Sequence, residues 1–352
     1  MNQRPSLLQV AGLVVSASAD RTLRVWRLAD GACLRTLTGH AGSVFRVEDV
    51  GGGRVASGGA EDRVLRVWDV QSGKQVQQIA TGGEGTSEIL RVVALWGDRV
   101  GTSHSGHFEI RLWSLRSGYA AGVLRGHTDN VCSLAVVLGC GSTVQQRLLA
   151  SGSDDHSVRL WFVDAGACAA VLHGHTGSVN CLADLGSGCL LSGSEDKSLR
   201  VWSTATGACL AEVPNAHEHE DDEEDEDDED EPAGVIWSAC ALPGGAATGV
   251  RGGTVQCWKW DEGTSALTRV GTLVHIGYGG QGVLALMVAS WPEPASVAPQ
   301  QAAVQLLVGR NDNGNIAVLA YPVRWPDHDL DDIHRELNGH SRYVISMVLM
   351  QA

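Results

Sequence analysis

Serine, aspartate and tryptophan recur in this chain at fixed distances. Ser151, Asp155 and Trp161 form one set, Ser192, Asp196 and Trp202 a second, and Ser16, Asp20 and Trp26 a third; in each the serine is ten residues before the tryptophan and the aspartate six before. Ser57, Asp62 and Trp68 make a looser copy with one extra residue between serine and aspartate. Histidines stand nearby in Gly-His pairs. Serine, histidine and a carboxylate are the parts of a nucleophile–base relay, in which imidazole takes the hydroxyl proton and the carboxylate orients the ring. A hydrolase needs that set once. Four copies answer a demand of the fold, so no catalytic residue is expected among them.

The elements that carry these residues are hairpins. Leu148–Trp161 reads as an apolar run, a tight polar turn and a second alternating run. Trp26, Trp68, Trp113, Trp161, Trp202 and Trp258 close successive copies, at spacings of 42, 45, 48, 41 and 56 residues. Gly-His opens a unit at 39–40, 126–127, 174–175 and 339–340, and Asn215-Ala216-His217 stands where another would fall. A strand follows each Gly-His, as in Val44–Val50, Val131–Leu138 and Val179–Leu185. A glycine turn such as Asp30-Gly31 or Thr206-Gly207 leads from each tryptophan to the next Gly-His. Each unit therefore holds four strands.

With its Gly-His openings and tryptophan endings about 40 residues apart, the chain resembles the WD-repeat family. The resemblance implies an all-β fold, a seven-bladed WD-repeat β-propeller spanning 1–352 as one domain. Six blades end in tryptophan. A degenerate seventh takes Val283–Ser290, Val304–Val308, Asn315–Tyr321 and Ile333–Leu337. The ring would close when the C-terminal strand, Tyr343–Leu349, completes the N-terminal blade. The resemblance also implies a buried Trp–Ser–His–Asp chain in each good blade: His40, Ser57, Asp62 and Trp68 in the second; His127, Ser151, Asp155 and Trp161 in the fourth; His175, Ser192, Asp196 and Trp202 in the fifth. The first would join Ser16, Asp20 and Trp26 to His340. The third has His107 in the aspartate position, and the sixth keeps Thr248 and Trp258 with Gly252 there.

The formal charge of −15 is a local feature: 41 acids face 26 bases, and thirteen of the acids lie in Glu218–Glu231. The remainder is nearly neutral, which argues against direct nucleic-acid binding, since that needs a basic stripe. Without the acidic run the 56-residue spacing returns to the repeat period. Residues 218–231 are thus an insertion, expected to be disordered by self-repulsion, on the upper face that also carries the serine–aspartate turns. Glu218, Asp221, Glu224, Asp228 and Glu231 sample it. Nine cysteines without CxxC spacing read as small hydrophobes in a reducing compartment, with no metal site. Met1–Asp20 mimics a secretory leader ending at Ala17-Ser18-Ala19. Cleavage there would cut a unit that matches two others in register, so Leu13–Ser18 is read as a strand. No apolar run is long enough to span a membrane.

Partner contacts are expected on the upper face near the central channel, at Phe45, Asp129, Asn130, Asn180, Trp237, Arg342 and Tyr343. Arg24, Arg66, Arg111, Arg159 and Arg200, each two residues before a tryptophan, are expected to line the faces between blades. The reading is a non-catalytic interaction scaffold without cofactor, a monomeric ring inside a larger protein complex in cytoplasm or nucleus, its acidic loop capturing basic proteins. Trp113-Ser114-Leu115-Arg116 points to an alternative, a substrate receptor of a cullin-type ubiquitin ligase, although serine stands where the resemblance wants aspartate. A propeller enzyme is the remaining alternative. It should show one unrepeated polar cluster or a cofactor motif, and the sequence has neither.

Overall fold

The computed structural model describes residues 12–59, 63–82, 88–138, 147–217, 234–250, 254–275, 283–290, 303–310, 316–322, 333–337 and 344–349. Among these, the strands form seven four-stranded antiparallel sheets. The second sheet holds β4 (Val44–Gly51), β5 (Arg54–Gly59), β6 (Val64–Asp69) and β7 (Lys74–Ala80) in sequence order. The third repeats this with β8 (Ile89–Leu95), β9 (Arg99–His104), β10 (His107–Ser114) and β11 (Ala120–Leu124). The fourth has β12 (Val131–Leu138), β13 (Arg147–Ser153), β14 (Val158–Phe162) and β15 (Ala167–Leu172). The fifth has β16 (Val179–Gly186), β17 (Cys189–Ser194), β18 (Leu199–Ser203) and β19 (Cys209–Val213). The sixth has β20 (Ile236–Leu242), β21 (Gly245–Val250), β22 (Thr254–Asp261) and β23 (Ala266–His275). The seventh has β24 (Val283–Ser290), β25 (Ala303–Arg310), β26 (Ile316–Pro322) and β27 (Ile333–Leu337). In the first sheet, β1 (Leu13–Ser18), β2 (Thr22–Arg27) and β3 (Ala32–Thr38) are joined by β28 (Val344–Leu349), which pairs with β1.

The first strands of successive sheets are neighbours from β4 to β24, and β28 lies beside both β24 and β4. The apolar core sits between sheets rather than within one. Leu148, Ala150, Val158 and Leu160 of the fourth sheet pack with Val179, Leu182, Leu190 and Trp202 of the fifth. This is face-to-face sheet packing, in which alternate residues of both faces interdigitate. The middle hairpins are consequently buried almost throughout, and β17 has no exposed residue.

One small residue sets the spacing between sheets. A methyl group added at Gly58, Gly152 or Gly193 would lie 2.6, 2.5 or 2.7 Å from Ile89, Val179 or Ile236 of the next sheet. The glycine after Ser57, Ser151 and Ser192 is there because a β-branched side chain of the next sheet occupies the space of its missing Cβ. The polar turns are fixed by their aspartates. Asp20, Asp155 and Asp196 accept from the backbone N–H two residues on, at 2.9–3.0 Å. The intervening Arg21, His156 and Lys197 take left-handed φ values of 73°, 67° and 65°, a conformation that such a local side-chain bond supports.

Candidate functional site

The fourth sheet shows how the recurrent polar residues are held. Trp161 on β14 donates its indole N–H to Ser151 Oγ on β13 at 2.8 Å. Ser151 Oγ is 2.7 Å from His127 Nε2. His127 Nδ1 is 2.7 Å from Asp155 Oδ2. With the proton on Nδ1, every donor in the chain points the same way, from indole to hydroxyl to imidazole to carboxylate. Asp155 also accepts from Thr128 N at 3.0 Å and from Ser157 Oγ at 2.6 Å. Burial would raise the Asp155 carboxyl, but the bonds from His127, Ser157 and Thr128 outweigh it and hold it well below the usual carboxylate range.

The fifth sheet repeats this arrangement. Trp202 donates to Ser192 at 2.8 Å, Ser192 meets His175 at 2.7 Å, and His175 meets Asp196 at 2.8 Å. Asp196 is held low in the same way: burial is again outweighed by His175, Ser198 and Thr176. In the second sheet, Trp68 and His40 both meet Ser57, at 2.8 and 2.7 Å. In the first, Trp26 donates to Ser16 at 2.8 Å, and Asp20 accepts from Thr22. Imidazole and indole rings lie at a tilt with centroids 6.1–6.2 Å apart in the second, fourth and fifth sheets. Asp62 and His340 lie outside the described residues.

Two sheets depart from expectation. In the third, the imidazole beside the hydroxyl is His104, on the same strand as its partner: Thr102 Oγ1 is 3.0 Å from His104 Nε2 and accepts from Trp113 Nε1 at 2.8 Å. His107, expected to fill the aspartate position, instead pairs with His104 across the β9–β10 turn. The signal was the unused His104, two residues after a buried threonine. In the sixth, His217 supplies the histidine, 2.8 Å from Thr248 Oγ1, which also accepts from Trp258 at 2.7 Å. A histidine that the sequence placed next to the acidic run is thus 5% exposed and part of the fold. Gly252 lies outside the described residues.

The geometry resembles a catalytic triad and lacks its essential access. Ser151 and Ser192 are 0% exposed, and each hydroxyl oxygen already accepts an indole N–H. A substrate carbonyl has no path to that oxygen. What the arrangement does is tie the loop leaving one sheet to the hairpin of the next.

The repeated arginines differ in what they reach. Arg200 pairs with Glu212 on β19 and lies 6.0 Å over Trp202. Arg66 donates to Gln75 and Gln78 on β7, and Arg111 to Glu109 and the Thr81 carbonyl. Arg66 and Arg200 thus clamp the outermost strand of their own sheet, whereas Arg111 reaches the loop leaving the preceding sheet, and Arg159 and Arg200 lie against Gly126 and Gly174 of such loops, at the junctions between sheets. Sheet-to-sheet ties at the opposite face come from other residues, Arg35 donating to the Val70 and Gln71 carbonyls and Arg99 to Asp164.

Of the expected partner-binding set, Asp129 and Asn130 are half-buried near the β13–β14 turn. Asn130 is spent on stitching, donating to Asp154 at 3.2 Å and accepting from Gly106 N at 2.7 Å. Asn180 is a correction: it is buried, and its amide donates to the Ile236 carbonyl at 3.3 Å, so it joins two sheets and offers no surface. Trp237 is half-exposed on β20. The Phe45 side chain, Arg342, Tyr343 and the acidic residues Glu218, Asp221, Glu224, Asp228 and Glu231 lie outside the described set. The cysteines are more varied than expected: Cys181, Cys189 and Cys257 are buried, whereas Cys33, Cys168 and Cys209 are exposed on outermost strands. The tetrapeptide Trp113–Arg116 ends β10, where Ser114 Oγ accepts from Ser117 N and Arg116 is exposed.

Comparison with known proteins agrees with this geometry. Residues 31–69, 118–161 and 166–203 match the family model described as WD domain, G-beta repeat. Autophagy-related protein 16 of Arabidopsis thaliana is 29% identical over 146 residues, covering 40% of this chain and 26% of that protein. A ribosome biogenesis protein, the WDR12 homolog of Chlamydomonas reinhardtii, is 29% identical over 144 residues, covering 40% of this chain and 32% of that one. The match therefore spans about a third or less of these relatives' length. Among solved structures, the WD40 repeats of RRP9 superpose with a TM-score of 0.67 at 21% identity, covering 85% of this chain and 83% of that one. This chain therefore carries WD repeats at 31–69, 118–161 and 166–203, and the buried indole–hydroxyl–imidazole chains of the fourth and fifth sheets fall within or at the edge of those stretches.

Proposed function

We propose that the chain is a non-catalytic interaction scaffold, a seven-bladed ring in which β28 completes the first blade and proteins dock across the upper face. The observation that carries the reading is the duplication of the Ser–His–Asp geometry in two sheets, each with its serine sealed from solvent. Repeated, inaccessible polar sets serve stability and leave function to the variable rim. WD-repeat propellers generally act as platforms for protein complexes, which supports the same reading. The pairing of β28 with β1 supports the closed ring, because it leaves no edge strand open in the first sheet's interior position. The acidic insertion 218–231 is the proposed capture element for basic partners, through charge complementarity that speeds and selects encounters. A relative named as a ribosome biogenesis protein favours a nuclear over a cytosolic setting.

Affinity purification of the full chain and of a variant lacking residues 218–231 tests this. Loss of basic proteins from the recovered set on deletion is the expected result. An identical set from both would refute the capture role, and recovery of no specific partner by either would refute the scaffold.

A further inference from the structure

The arginine two residues before the tryptophan finds an acceptor in the second, third and fifth sheets and none in the fourth. In the fifth, Arg200 on β18 lies across the ladder from Glu212 on the outermost strand β19 and pairs with its carboxylate at 2.7 Å. In the second, Arg66 lies across from Gln78 on β7 and donates to Gln75 and Gln78. In the third, Arg111 faces Val123 and takes its carboxylate from Glu109, two residues earlier on β10, at 3.1 Å. The fourth sheet lacks each of these acceptors. Arg159 faces Val171, and Cys168 stands at the position of Gln75. Ser157 stands at the position of Glu109, with its hydroxyl bonded to Asp155. Among the described residues Arg159 makes no hydrogen bond or ion pair, and its Nε is buried without a partner. Arg24 of the first sheet is also without a partner, but it has the Thr36 hydroxyl across the ladder in place of a bare valine.

Packing fixes where the free guanidinium lies. A methyl group added at Gly126 would come within 2.5 Å of Arg159 Nη1 and 3.2 Å of Trp161 Cη2. The guanidinium therefore rests on the glycine of the loop leaving the third sheet, beside the indole edge, as Arg200 rests on Gly174. Arg125 in the same loop shares Glu109 with Arg111, so that carboxylate is already spent. On its outer side Arg200 meets Glu212, whereas Arg159 has Val171, 36% exposed, on a strand that carries no charged residue from Ala167 to Leu172. Cys168 and Ala169 beside it are exposed as well. A guanidinium half-withdrawn from water without a counter-ion is unfavourable, and its planar donor fork matches a carboxylate.

We propose that the outer rim between the third and fourth sheets is a docking site for a partner polypeptide, which lays a carboxylate side chain on Arg159 and an apolar side chain on Val171. The carboxylate takes the place that Glu212 fills in the fifth sheet, and that pairing is the reason to assign a carboxylate. The site rests on the scaffold reading and adds to it a contact along the outermost strand β15.

Fluorescence anisotropy on the full chain tests it with three labelled hexapeptides, Thr-Val-X-Val-Thr-Ser, carrying glutamate, glutamine or phosphoserine at X. The glutamate peptide should bind, and the glutamine peptide should bind about tenfold or more weakly. Arg159→Gln should weaken binding of the glutamate peptide by about the same factor. Val171→Glu should do so too, because it supplies from within the carboxylate that Glu212 gives Arg200. It should also melt no lower than the parent protein, which separates lost binding from lost folding. Arg27→Gln, which removes an exposed arginine paired with Asp30, should leave affinity within about twofold. Equal affinity for the glutamate and glutamine peptides, unchanged binding in either Arg159→Gln or Val171→Glu, or no binding at millimolar peptide would overturn the proposal. Tighter, Arg159-dependent binding of the phosphoserine peptide would overturn the choice of a carboxylate. Affinity purification with Val171→Glu separates this site from the scaffold reading. Loss of at least one partner that the parent recovers is expected, an unchanged set discards the site and keeps the scaffold, and a parent that recovers no specific partner refutes the scaffold itself.

Discussion

Replacing Asp155 by alanine tests whether the hydrogen-bonded chain is structural. The carboxylate accepts from His127 Nδ1 at 2.7 Å, Ser157 Oγ at 2.6 Å, Ser157 N at 2.9 Å and Thr128 N at 3.0 Å. Its side chain is 7% exposed and that of His127 is 0%. Bonds to a charged acceptor contribute about 1.5–3 kcal/mol each, and they are not additive within one network. Thr128 is exposed and its N–H can turn to water. The buried bonds from His127 and Ser157 cannot be replaced, so the expected loss is about 3 kcal/mol, near the lower end for breaking a buried charged network. Urea unfolding followed by tryptophan fluorescence at pH 7 reads it directly. Asp196→Ala should cost the same within about 0.5 kcal/mol, because its partners and distances repeat those of Asp155. The pH dependence has a definite sign. The native carboxyl titrates below its unfolded value, so its stabilisation is complete above about pH 4 and disappears as pH falls through the native value. The gap between parent and variant should therefore narrow in acid. A loss below about 0.5 kcal/mol in either variant, or a loss confined to one of the two, would refute the structural assignment.

Two further outcomes can be checked with the same measurements. Gly152→Ala should destabilise by about 1–3 kcal/mol, since its methyl group meets Val179 side chain and backbone with no room to yield, whereas Gly271→Ala, with open space around it, should stay within about 0.5 kcal/mol; equal melting temperatures for the two would sink the packing argument. Burial pushes Glu48 up to about 8, so the native state holds a proton that the unfolded chain releases from about pH 4.5 upward, and stability should fall between these values as pH rises. Glu48→Gln, which cannot ionise, should flatten that part of the profile, and an unchanged slope from pH 5.5 to 8.5 would contradict it.

The spacing of serine, aspartate and tryptophan was sufficient to read the hairpins, because each residue type meets a fixed geometric need: an indole donor, a hydroxyl relay and a turn-fixing carboxylate. Leu13–Ser18 could be recognised as a strand by register alone, and it pairs with β2 as that register requires. The sequence was less informative where a requirement can be met from more than one place. The third sheet takes its imidazole from His104 on its own strand, so matching His107 to a position in the repeat missed the imidazole that proximity chooses. Asn180 illustrates a second limit. It occupies a β-bulge on β16, and which way a bulged side chain points depends on the neighbouring sheet, here the Ile236 carbonyl.

In the second, fourth, fifth and sixth sheets the histidine comes from the loop leaving the preceding sheet, and this has a bearing on how such proteins change in length. The matched stretch 31–69 begins on the outermost strand of the first sheet and ends on the third strand of the second; 118–161 and 166–203 are framed in the same way. The unit that a gene duplication would copy is therefore offset from the unit that folds as a sheet. Every added copy arrives carrying the last strand of one sheet and the first three of the next, with the joint between the two sheets inside it. Inheritance in that frame enlarges the ring without ever requiring two finished surfaces to find complementarity afresh.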